Sequence, residues 1–156
     1  MARDIQTELK QRKPFPCREE ELMLNIIRTA DQLQRRMVEL LKTADLSGTQ
    51  YNVLRILRGA GSEGLACGEI SNRMVTRDPD ITRLLDRLEK RNLVARSREK
   101  EDRRVVTARI TQAGLDLLKK LDEPVIQSHK AQLGHLEAKQ QETLIRLLET
   151  AREKLT

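Results

Sequence analysis

Residues 78–110 read DPDITRLLDRLEKRNLVARSREKEDRRVVTARI, and the pattern changes period part-way along. Ile81, Leu84, Leu85 and Leu88 recur at the three- and four-residue steps of one helical face. Asp78 and Pro79 make a helix start, with Asp78 as cap and Pro79 at the first helical position, where its missing N–H costs nothing. At about 100° per residue, Arg83 and Lys90 fall opposite the apolar stripe, with Arg87 beside them. After Asn92 the pattern turns strand-like. Leu93–Ser97 and Arg104–Ile110 are β-prone runs flanking the charged loop 98–103, which predicts a hairpin.

Working outward, Ser47-Gly48-Thr49-Gln50 fits a capping box opening a helix with Val53, Leu54 and Leu57. That helix stops in the glycine-rich stretch of Gly59, Gly61 and Gly64. A short helix is expected over roughly 66–74. Past the hairpin, Thr111 caps a helix running to Leu121 or beyond, with Ala113, Leu117 and Leu121 on one face and Pro124 in a kink or a first turn. A long helix over about 19–43 carries Leu22, Ile26, Ala30, Leu33, Met37, Leu40 and Leu41. A last helix over about 136–155 carries Leu144, Leu147, Leu148, Ala151 and Leu155. The fold class expected is mostly α with a small β-hairpin wing. Residues 1–18 are a polar tail containing Pro14, Phe15 and Pro16. Residues 46–111 form a winged helix-turn-helix. The flanking stretches 19–45 and 112–156 are dimerisation helices, because a unit of about 65 residues cannot bury apolar stripes at both chain ends by itself.

Composition narrows the function. The chain carries a net charge of +6, and residues 73–104 hold eleven basic and seven acidic side chains, so most of the excess sits on the helix and hairpin. Local positive charge of this kind fits a phosphate-facing surface. With one Tyr, one Phe and no Trp, the composition argues against binding single strands by base stacking. No run approaches the ~18 apolar residues of a membrane span, and no apolar leader core is present, so no membrane partner and a cytoplasmic location are expected. Cys17 and Cys67 have no metal-ligand spacing, His129 and His135 do not share a helical face, and no nucleophile–base pair or phosphate loop is present. Neither a cofactor nor an enzymatic activity is expected.

B-DNA's major groove admits one α-helix, and an adjacent hairpin can lay a cation into the minor groove. The candidate DNA-binding residues are Arg77, Asp80, Thr82, Arg83, Arg87 and Lys90 around the helix, and Arg98, Lys100, Asp102, Arg103 and Arg104 in the wing. Acids at the helix start suit its dipole, and one of them could accept from a cytosine amine. A blander reading makes Arg83, Arg87 and Lys90 a solvated face, with pairs such as Asp86–Lys90.

Residues 46–114 resemble the MarR (multiple antibiotic resistance regulator) family. The matching pieces are Leu46, Gln50, Val53, Leu54 and Leu57, then Glu69-Ile70, the run Thr82–Glu89, Leu93-Val94-x-Arg96, Asp102-Arg103-Arg104 and Ile110-Thr111-x-x-Gly114. The resemblance implies a homodimer joined by its first and last helices and binding a palindromic double-stranded operator as a repressor. It implies release by a small-molecule effector seated between the dimerisation helices and the DNA-binding lobe. It also implies that Asp102 orders Arg104 for the minor groove. Asn92 stands where the family commonly has glycine and tolerates a left-handed backbone. Cys17, near the start of the first long helix, makes a redox-responsive regulator of the same fold an alternative, with Arg18 available to favour a thiolate. A helical protein-interaction module is the alternative outside DNA binding.

Overall fold

The computed structural model describes residues 4–77, 80–98 and 104–155. In chain order the elements are α1 (Ile5–Glu8), α2 (Arg18–Lys42), α3 (Gly48–Ala60), a 3-10 turn (Gly61–Glu63), β1 (Leu65–Ala66), α4 (Cys67–Arg73), α5 (Ile81–Lys90), β2 (Val94–Arg98), β3 (Val106–Ile110), α6 (Gln112–Leu133) and α7 (Ala138–Glu153). The capping box forms as expected, with Ser47 Oγ accepting from Gln50 N at 3.1 Å and Gln50 Oε1 accepting from Ser47 N at 2.9 Å.

Several expectations need correction. Helix α5 begins at Ile81 and not at Pro79. Its N-cap is Asp80, whose side chain accepts from Arg83 N at 3.0 Å; Asp78 and Pro79 lie outside the described residues. The stretch read as a tail contains α1, with Ile5 buried and Glu8 pairing with Arg28 at 3.5 Å. Ala113 is exposed. The face of α6 that packs inward carries Gly114, Leu118, Leu121 and Val125, because the helix starts at Gln112 and Gly114 is the residue pressed against Leu93 and Ile110. Pro124 sits inside α6.

One core unites the lobe. Leu41 and Leu46 at the end of α2, Tyr51, Val53, Leu54 and Leu57 of α3, Ile70 of α4, all four stripe residues of α5, Leu93, Val94, Ala108, and Leu118, Leu121 and Val125 of α6 form a single buried cluster. The sheet is antiparallel in the order β1-β3-β2, with Val94 opposite Ile110 and Arg98 opposite Val106. The unexpected third strand, Leu65–Ala66, pairs with Thr107 and Ala108. Gly64 permits that pairing. At φ 71°, a side-chain Cβ there would lie 2.4 Å from the Ala108 carbonyl. Thr111 closes the far side. Its Oγ1 donates to the Asn92 carbonyl at 2.6 Å and accepts from Gly114 N at 3.1 Å, so it caps α6 and fastens that helix to the end of α5.

The terminal helices are different. Leu22, Met23, Ile26 and Ile27 of α2 are exposed, as are Ile126 and Leu133 of α6 and Leu144, Ile145 and Leu147 of α7. No residue of α7 is buried. These apolar positions are not absorbed into the core of the single chain. No helix among the described residues is long and apolar enough to cross a membrane.

The same substitution at two helical glycines should act with opposite signs. A Cβ at Gly59 meets nothing within 4 Å, so Gly59→Ala should stabilise by roughly 0.5–1 kcal/mol. A Cβ at Gly114 would lie 2.5 Å from the Leu93 carbonyl, so Gly114→Ala should destabilise by about 1–3 kcal/mol. Urea unfolding of both variants measures the pair. Equal effects would contradict the close approach of α6 to Leu93.

Candidate nucleic-acid interface

Helix α5 sorts its side chains by charge. Ile81, Leu84, Leu85 and Leu88 are buried, Thr82, Arg83, Arg87 and Lys90 are exposed, and Asp86 and Glu89 lie toward β2. Residues three and four apart share a side of a helix, so Asp86 lies beside Lys90 at the margin of the basic face, with Glu89 beyond it toward β2. Arg96 of β2 then engages both acids. Its Nη2 donates to Asp86 Oδ1 at 2.5 Å and to Glu89 Oε2 at 2.7 Å. Its Nε reaches Glu89 Oε2 at 3.1 Å, and its backbone N–H donates to Glu89 Oε1 at 3.1 Å. The Arg96 side chain is only 21% exposed. One guanidinium thus joins the first wing strand to α5 and compensates the negative charge on that side. Asp86 is therefore paired with Arg96 and not with Lys90.

The ion cluster shifts its members. The hydrogen bond from the Arg96 side chain is the main cause holding the Glu89 carboxyl below its ordinary range. The reciprocal bond to Glu89 is the main cause raising Arg96 above its own.

The expected site residues fall into four groups. Thr82, Arg83, Arg87 and Lys90 share the outward side of α5, and Arg87 and Lys90 have no ion-pair partner among the described residues. Asp80 is occupied: besides capping the helix, its carboxylate meets Arg83 Nε at 3.0 Å. That pair is exposed and worth about 0–1 kcal/mol, so Arg83 can exchange it for another acceptor. Arg77 is exposed on the segment before α5, a segment fixed where Val75 N donates to Asn52 Oδ1 of α3 at 2.8 Å. Arg98 and Arg104 are exposed on the two arms of the wing. Lys100, Asp102 and Arg103 lie outside the described residues.

Reading the sequence missed the supporting cations. Arg109 of β3 donates to the Ser62 carbonyl at 3.0 Å and to Ser97 Oγ at 2.7 Å, bracing the wing against the 3-10 turn. Arg58 of α3 donates to both oxygens of Asp122 of α6 at 3.0 Å. Alternation of side chains along β3 could have flagged Arg109; nothing local flags Arg58, whose partner is 64 residues away. Cys17 is exposed at the start of α2 and makes no side-chain cap bond. Among the described residues no cluster of His, Cys, Asp and Glu could hold a metal ion. A cavity of about 320 Å³ lies at the elbow of α6 and α7, lined by His129, Lys130, Leu133, Leu136, Leu144 and Ile145 among others. It belongs to those two helices alone, and is not the site between helices and lobe that the resemblance implies.

A buried-stripe helix with a basic outer face, followed by a braced hairpin, is the architecture of a winged helix-turn-helix. Residues 46–106 match the MarR family. A MarR transcription factor from Planctomyces limnophilus, of known crystal structure, is 47% identical, covering 88% of this chain and 99% of that protein with a TM-score of 0.69. The chain belongs to the MarR family. The regulator PrsX of Escherichia coli is 33% identical to this MarR-family chain over 107 residues, which are 69% of the chain and 64% of PrsX. The chain thus spans less than two thirds of that regulator's length. The fold is shared with Sco3205, a MarR family regulator from Streptomyces coelicolor whose crystal structure is a complex with DNA. The TM-score is 0.80 at 22% identity, with 94% of each chain covered.

The Arg96 cluster predicts a pH signature. Glu89 is more acidic in the folded state, so its contact with Arg96 adds stability above the unfolded carboxyl range. That contribution fades as pH falls through the folded value. Arg96→Gln should therefore cost stability at neutral pH, and the gap to the parent protein should narrow below about pH 4. Urea melts of both proteins at neutral pH and near pH 3 give the comparison; a gap independent of pH would show that the cluster holds the wing by shape and not by charge.

Proposed function

We propose that this chain is a sequence-specific, double-stranded DNA-binding regulator of transcription that works as a homodimer on a palindromic operator. The carrying observation is the outward side of α5: Thr82, Arg83, Arg87 and Lys90 share one exposed face of a helix whose opposite face is buried to its last stripe residue. Such a helix can enter the major groove without moving relative to its lobe, and arginines there suit guanine edges. Arg98 and Arg104, exposed on the two arms of the wing, are the candidates for phosphates or the adjacent minor groove. That a relative of the same fold was crystallised with DNA supports the reading.

The homodimer follows from unsatisfied apolar surface. Helices α2, α6 and α7 together expose Leu22, Met23, Ile26, Ile27, Ile126, Leu133, Leu144, Ile145 and Leu147, and a second copy supplies a matching set. In this reading the protein represses, in the cytoplasm beside the chromosome. A small-molecule effector releases it by preferring a lobe spacing that does not fit DNA.

Selection of bound sequences from random duplexes, followed by a search for a palindrome, tests the proposal directly. Light scattering should give about twice 18.0 kDa. On the selected operator, Arg83→Ala should cost about 1–3 kcal/mol of binding and relax preference at one base pair. Unchanged affinity and preference would remove Arg83 from the reading face.

The wing makes a sharper test. Asp102 is of the wrong sign for a DNA contact unless it orders Arg104. Asp102→Ala should then weaken binding although it removes a negative charge, and Arg104→Ala should weaken it without adding to the first effect. Tighter binding by Asp102→Ala, titrated at several salt concentrations, would make the aspartate a bystander.

A further inference from the structure

Two helix ends meet behind the basic face, and both close in the same way. At the end of α2, Leu46 N donates to the Leu41 carbonyl at 3.1 Å and Asp45 N to Lys42 at 3.0 Å, with Asp45 at φ 52°. At the end of α5, Leu93 N donates to Leu88 at 3.0 Å and Asn92 N to Glu89 at 2.9 Å, with Asn92 at φ 55°. Each is the paired closure in which a left-handed residue turns the chain and an apolar residue beyond it packs back on the helix. All four leucines, 41, 46, 88 and 93, lie in the same core.

This closure leaves carbonyls at the turn without an intrahelical donor, at the negative end of the helix dipole. For α2 the donor comes from α5. Arg91, the residue that caps α5, gives Nη2 to the Ala44 carbonyl at 3.0 Å and Nη1 to the Asp45 carbonyl. A planar guanidinium can fork onto two neighbouring carbonyls; a lysine ammonium has no such fixed geometry. No carboxylate pairs with Arg91 among the described residues. The contact is therefore a strut from the end of one helix to the end of another.

We infer that Arg91 is a positioning residue that fixes α5 relative to α2 and thereby sets the half-site spacing the dimer accepts. The inference rests on the proposed reading, in which α2 packs against a second copy and α5 reads DNA. Half-sites of a dimer lie about one helical turn apart, and each added base pair moves them by about 3.4 Å and rotates them about the duplex axis. A lobe held stiffly on α2 rejects that displacement; a lobe hinged at the turn follows it. Because the Ala44 and Asp45 carbonyls can turn to water when Arg91 is removed, stability should change little, and spacing preference should change most.

The test uses the full chain, its selected palindrome, and versions of that palindrome with one base pair inserted or deleted at the centre. Affinities are measured for the parent protein, Arg91→Met and Arg91→Lys over a range of salt. The parent should prefer its own spacing. In Arg91→Met that preference should fall by about threefold or more, with the salt slope unchanged. Arg91→Lys keeps the charge and loses the fork, so it should also lose preference; this variant decides the matter if Arg91→Met does not fold. Spacing preference equal to the parent's in both variants overturns the strut. So does a salt slope lower by about one in Arg91→Met alone, which would make Arg91 a phosphate contact. A parent protein that binds no palindrome better than random duplex overturns the proposed function and the strut together, and so is distinct from failure of the strut alone.

Discussion

A ten-residue helix does not hold together in water by its own hydrogen bonds, since isolated helices shorter than about 12–15 residues are marginal. Helix α5 persists because Ile81, Leu84, Leu85 and Leu88 are seated in the core shared by α2, α3, α4, the sheet and α6. That dependence has a directional result. A helix fixed by one face presents the other face in a constant orientation, and everything around α5 serves to keep it so. Asp80 closes its start, Asn92 turns its end, Thr111 ties that end to α6, and Arg96 holds its flank.

Electrostatics would otherwise work against this surface. Asp80, Asp86 and Glu89 lie on or beside the helix proposed to face phosphates. The structure handles them locally. Asp86 and Glu89 are drawn to Arg96, and Asp80 is divided between the helix cap and Arg83. What projects is the basic remainder, a matter of which charges have intramolecular partners more than of net charge.

Periodic features were legible in the sequence. The α5 stripe, the capping box at Ser47, the hairpin, the cap at Thr111 and the left-handed Asn92 all follow from short-range stereochemistry, and each is present. The errors have the same origin. Asp78-Pro79 is a sound helix start by local rules, yet two residues later Asp80 offers the same cap, and the helix takes that one. Ala113 fits the apolar spacing of α6, but the approach of that helix to Leu93 selects the face of Gly114. Strand β1, only two residues long, carries no period at all and exists because β3 has a free edge beside Gly64. Of the candidate site, the shared exposure of Arg83, Arg87 and Lys90 on α5 was readable. The bracing arginines Arg58 and Arg91 were not, because Arg58 finds its partner 64 residues away and Arg91 binds carbonyls, which have no sequence identity; Arg109 carried only the weak signal of alternation along β3.

The scarcity of aromatic residues leaves the protein with a single intrinsic reporter. Tyr51 is its only tyrosine, there is no tryptophan, and the ring is buried in the lobe core with the Arg55 guanidinium 5.9 Å from its centre. Emission excited beyond the absorption of Phe15 therefore comes from the helix-turn-helix alone, whereas circular dichroism averages over every helix, α7 included. The two signals divide the molecule optically without any label. If the terminal helices come apart before the lobe melts, ellipticity will fall while tyrosine emission holds; if the chain unfolds as one unit, both will move together.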